Sequence, residues 1–141
     1  MGKSVKRKYQ KDYTAFSRVM ALTELFNGVE LAKLLLPIRE SFDALTKGSA
    51  SAEDVHRLID TMNVTLVRGW GTDMQPIANA AMNALRRTWE RYERVGKFGL
   101  DGPGLSEVEQ GLELHEELVS KSSPRQMRDA ALVVENWRKV A

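Results

Sequence analysis

The sequence predicts an all-α protein, a compact antiparallel helical bundle of about six helices, and three observations carry that expectation. Apolar residues recur at three- and four-residue spacing along most of the 141 residues. Several of these runs open on a capping pattern, an Asn or Ser followed three residues later by Glu, Asp or Gln. Strand-like alternation is missing; the short β-branched run Val64-Thr65-Leu66-Val67 would be a lone strand with nothing to pair with, and it reads as the end of a helix.

Residues 1–11 form a basic arm, and residues 12–141 read as one helical domain. The first helix begins near Asp12, with Tyr13, Phe16 and Met20 on one face. Asn27 with Glu30 makes a capping box for the second helix, whose stripe is Leu31, Leu34, Leu35, Ile38, Phe42 and Leu45. Pro37 inside that stripe predicts a kink or a break, because proline lacks a donor and clashes with the preceding turn. Gly48 ends the helix. Ser51 and Asp54 open the third, which carries Val55, Leu58, Ile59, Met62 and Leu66 on one face.

The fourth helix, about residues 74–95, has Ile77, Ala81, Leu85, Thr88, Tyr92 and Val95 in one stripe with Trp89 beside it. A connection with four glycines in nine residues follows at 96–104. The fifth helix, about residues 105–120, turns Leu105, Val108, Leu112, His115 and Val119 inward. The last opens on Ser123, Pro124 and Gln126 and turns Met127, Ala130, Ala131, Val134 and Trp137 inward.

Composition narrows the function classes. Apolar residues at 43% and charged residues at 28% are globular values. The absence of cysteine excludes disulfides, thiolate metal sites and a cysteine nucleophile. No apolar run reaches the roughly 20 residues of a membrane span, and the basic start is not followed by the apolar stretch of a secretory signal, so the expected setting is the cytoplasm. Met1-Gly2 lacks the Ser or Thr at position 6 of a myristoylation signal; Lys6 stands there.

Net charge is only +2, but its distribution is uneven. Lys3, Lys6, Arg7, Lys8, Lys11 and Arg18 face a single acid, Asp12, at the start of the chain. Residues 101–117 carry Asp101, Glu107, Glu109, Glu113, Glu116 and Glu117 and no Lys or Arg.

No catalytic constellation is legible. The one metal-like spacing is Glu53 with His56 at i+3, and its counterpart is missing, since Leu112 stands three residues before His115. Asp60, at i+4, is placed to take the His56 ring proton, and His115 falls in an apolar stripe as a core histidine. Serines sit in caps and linkers, with no nucleophile elbow. No cofactor or metal is therefore assigned, and the expected protein is not an enzyme.

Residues 96–104 lead into a helix N-terminus, as phosphate cradles do, but the Gly-Lys-Ser/Thr ending is missing. The simplest reading is a connector, and the second is a contact loop presenting Phe98 and Leu100. Trp70, between Gly69 and Gly71, is either a lid over the core, its more ordinary use, or an exposed contact.

These features lead to a protein-binding module, an adaptor, inhibitor or regulator of the kind found among accessory proteins of bacteria and mobile elements. Its contact residues are Trp70, Phe98, Leu100 and the acidic stripe Glu109, Glu113 and Glu116. The alternative is a nucleic-acid binder using Lys3, Lys6, Arg7, Lys8 and Lys11, with Arg87, Arg91 and Arg94 as a second track. In that alternative the junction through residues 69–71 is the one place for a helix-turn-helix. The sequence holds no heptad seam long enough to predict a homodimer.

Overall fold

The computed structural model describes residues 26–140, and every regular element in them is helical. Five helices follow in order: α1 (Gly28–Thr46), α2 (Ala52–Arg68), α3 (Gln75–Val95), α4 (Gly102–Ser120) and α5 (Pro124–Val140). The helix expected from about residue 12, which would make six, lies outside the described residues, as does the basic arm 1–11.

Local chemistry sets the boundaries. At α1 the Glu30 amide donates to Asn27 Oδ1 at 2.8 Å and the Asn27 amide to Glu30 Oε1 at 2.9 Å. Ser51 and Asp54 close the same reciprocal box at α2, as do Ser123 and Gln126 at α5. Pro37 does not break α1, which runs on as a single helix. One lost backbone bond is tolerated there because the box holds the first turn while Phe42 and Leu45 bury the last.

A second correction concerns α4, which begins at Gly102 rather than near residue 105. The Asp101 carboxylate accepts the Gly104 amide at 2.6 Å, so residues read as loop glycines form the first helical turn around Pro103.

The core is Phe42 and Leu45 of α1, Val55, Leu58 and Met62 of α2, Ala81, Ala84 and Leu85 of α3, Phe98, and Val108 and Leu112 of α4. Among the described helices α2 packs against each of the other four, and α3 against α4 is the most extensive interface. Small residues make that interface close. A Cβ added at Gly111 would lie 2.6 Å from Ala81 Cβ and 2.7 Å from Met62 Sδ.

Several residues expected inward are exposed: Leu34 of α1, Tyr92 and Val95 of α3, Leu105 of α4, and Trp137 of α5, which is 40% exposed. The last turns of α3 and α5 and the first half of α1 extend past the buried stripes, Leu105 lies on the outer side of the first turn of α4, and periodicity alone does not register where the partner helix ends.

Gly111→Ala is expected to lower stability by about 1–2 kcal/mol in urea titration. Overpacking against the fixed Ala81 methyl outweighs the gain in helix propensity, which is at most about 1 kcal/mol.

Candidate protein-contact site

Trp70 stands on the turn between α2 and α3 with 63% of its surface in solvent, which corrects the expectation of a core lid. The turn that carries it is heavily bonded. The Gly69 amide donates to the Thr65 carbonyl and the Trp70 amide to the Val67 carbonyl, closing α2. Thr72 then donates its hydroxyl to the Gly69 carbonyl at 2.6 Å and accepts the Met74 amide at 3.1 Å. The Gly71 amide donates to Gln75 Oε1 at 2.8 Å.

The two glycines differ in what they contribute. Gly71 has φ +77°, which L side chains rarely adopt, and a Cβ at Gly69 would press on Met74 Cβ at 3.1 Å. The result is a large aromatic held in solvent on a rigid base.

The 96–104 connection does the opposite with its aromatic. Phe98 is only 8% exposed and belongs to the core, stacked on Tyr92 at 4.2 Å between ring centroids and tilted against Trp89 at 5.4 Å. Leu100 packs against the same core. Phe98 is thus drawn into the core, Leu100 stays half-buried beside it, and the connection is pinned rather than free. Thr88 Oγ1 donates to the Gly99 carbonyl at 2.5 Å and accepts the Gly99 amide at 2.7 Å. The Gly104 amide is already taken by Asp101 and Pro103 has no N–H, so two of the first-turn positions offer no donor to an anion.

The charged candidates divide. Arg87 pairs with Glu107 at 3.0 Å and Asp101 at 3.6 Å, an internal use of one member of the arginine stripe. Arg91 lies over Gly99, and Arg94 is exposed. Glu116 makes a bidentate pair with Arg39 at 2.6 and 2.9 Å, tying α4 to α1. That hydrogen bond, aided by the charges of Glu109 and Glu113, holds the Arg39 guanidinium above its usual range. Glu109 and Glu113 themselves are exposed. The arm residues Lys3, Lys6, Arg7, Lys8 and Lys11 lie outside the described residues.

The two histidines are far apart in role. His56 stacks on Trp89 at 4.8 Å, nearly parallel. His115 is 4% exposed, and its Nδ1 lies 3.0 Å from Thr65 Oγ1. Among the described residues no three or more His, Asp and Glu side chains converge as metal ligands would. No described helix is long and apolar enough to cross a membrane.

One feature escaped the sequence reading, an open groove of about 590 Å³ between α1, α2 and α5. Leu34, Ile38, Val64, Met127 and Ala131 line it, and so does His115 of α4. The signal available was His115 itself, a polar ring in an apolar stripe.

No family model matches the chain, and no curated protein or solved structure matches it significantly. Any function is therefore argued from the geometry above.

Burial pushes the His115 imidazole down from 6.5 to about 4, against the weaker opposing pull of Glu116. Between those values the unfolded chain binds a proton that the folded one does not. This contribution to stability is therefore present above pH 6.5 and lost as pH falls toward 4. The expected loss is roughly 3 kcal/mol over that window. Urea titrations at both ends should show it, and His115→Leu should remove most of the difference between the two pH values.

Proposed function

We propose that this protein is a non-catalytic protein-binding module, an adaptor, inhibitor or regulator, whose principal contact is Trp70. The observation that supports the reading is a tryptophan 63% exposed on a turn whose backbone is fixed by hydrogen bonds at residues 69, 70, 71, 72 and 74. With most of its indole in solvent, Trp70 adds little burial to the free fold. Because its backbone is already fixed, less conformational freedom is lost when a partner buries it, which is a condition under which a tryptophan anchors an interface. Glu109 and Glu113 supply exposed negative charge that would steer a basic partner surface. Phe98 is not part of this proposal, because the core uses it, and Leu100 is half-buried against the same core.

The nucleic-acid alternative draws on the basic arm and on Arg91 and Arg94. Arg87, neutralised by two carboxylates, contributes little to it.

The test is affinity capture from source cells by the tagged chain and by its Trp70→Ala variant, each washed with and without nuclease. The expected outcome is a stoichiometric protein that survives nuclease and binds the variant at least about 30-fold more weakly. Stability of the variant should change by no more than about 0.5 kcal/mol, as for other exposed positions. Equal retention by the variant would exclude Trp70 as the contact. Loss of all co-purifying protein on nuclease treatment would favour the nucleic-acid reading instead.

A further inference from the structure

Helices α1 and α5 both pack on α2 but make no extensive contact with each other, and the space between them is the groove of about 590 Å³. Leu34, Pro37 and Ile38 of α1, Val64 of α2, and Met127 and Ala131 of α5 give it an apolar lining. Leu34 is 39% exposed, and Val29 and Leu36 on the same half of α1 are more exposed still. Among the described helices, none covers this strip.

The chain outside the described residues ends beside this groove. Phe26 directly precedes the Asn27 cap of α1, and 25 residues stand before it in the sequence. Among those, Tyr13, Phe16 and Met20 are three and four apart, the spacing of one helix face. As a helix, residues 12–25 would cover about 21 Å. The groove offers a matching length: α1 rises about 20 Å from Gly28 to Ser41, where Ser41 donates to Asp54 at the start of α2. Glu53 lines the groove at that far end. Charge runs the same way. A segment laid back along α1 from Phe26 carries Lys11, Lys8 and Arg7 toward the Glu53 end. There His56 and Asp60 are shared with a second cavity, which Glu90 and Glu93 also line and in which Arg86 donates to Asn83.

We propose that the groove between α1 and α5 is the docking site of the chain's own residues 12–25, with Tyr13, Phe16 and Met20 as the contact face. Antiparallel helices are joined by loops of about two to five residues, and the stretch ending at the Asn27 cap can supply one. So short a tether sets an effective concentration on the order of millimolar, which an untethered partner or a second copy has to exceed. The docked segment brings Lys6, Arg7, Lys8 and Lys11 to carboxylates of the same chain, in competition with the phosphates of a nucleic acid. The proposal is independent of the Trp70 turn and does not rest on the protein-binding reading.

The experiment is nuclear magnetic resonance on the full chain, labelled with ¹³C at the Met, Leu and Ile methyl groups. The expected result is a set of Overhauser contacts from the Met20 methyl and the Phe16 ring to Leu34, Ile38 and Met127. An isotope-filtered spectrum of labelled chain mixed with unlabelled chain should show no such contact between copies. In the full-chain double variant Phe16→Asp, Met20→Asp the contacts disappear and the Leu34 and Met127 methyl resonances shift. Those of Leu58 and Leu85, fully buried in the core, hold their positions.

Contacts seen only between copies would make a second chain the occupant and overturn the proposal. So would the absence of any contact to the groove from residues before Phe26, or Leu34 and Met127 resonances that stay unmoved in the variant. Should the variant fail to fold, the contacts within the unaltered chain and the mixed sample decide alone.

Discussion

Burial of the α2 stripe Val55, Leu58, Met62 and Thr65 is the interaction on which the remaining architecture depends. These residues stand three, four and three apart, so they fall on one face, and all four are within about 1% of full burial. Because α2 alone among the described helices touches every other, removing it would leave α3 packed on α4 and little else. The polar groups on α2 serve the same end. Ser41 of α1 donates to Asp54 and accepts from Arg57, and Arg68 donates to Ser122 at the turn before α5. Each link satisfies a group near α2 while fixing a neighbour's position.

That central helix also borders both surface features. Its C-terminus ends at Gly69 and hands the chain directly to the Trp70 turn, so the exposed indole is mounted on the helix that touches every other described one. Its groove-facing side lies between α1 and α5, where neither flank closes over Thr61, Val64 and the deeper His115. Thr65 joins the two settings, its hydroxyl 2.8 Å from the Thr61 carbonyl within α2 and 3.0 Å from the imidazole Nδ1 of His115 in α4. A well-packed centre with a projecting aromatic is the arrangement on which the proposed contact role of Trp70 rests.

Much of the fold was legible in the sequence. Asn27 with Glu30, Ser51 with Asp54 and Ser123 with Gln126 announced three helix starts, because capping is decided within four residues. The α2 stripe was equally plain. What local pattern could not supply was the register between helices. Tyr92, Val95 and Trp137 keep the helical period yet reach past the partner that would cover them. Phe98 shows the reverse: it sits in a glycine-rich segment that looks free, but the distant hydroxyl of Thr88 folds that segment back. Trp70 stood out by its flanking glycines, while its exposure depended on bonds from Thr72 and Gln75 that no spacing reveals. The groove was illegible for the same reason, being assembled from four helices.

The measurement that tests the central role of α2 most directly is native-state amide hydrogen exchange across the five helices. If the bundle is organised around α2, amides over Val55–Thr65 exchange only through global unfolding, with protection matching the stability found by urea titration. Those of α5, which has α2 as its main support, open at lower free energy. Amides of α5 or α1 that outlast those of α2 would contradict the account, placing the stable centre of the molecule elsewhere.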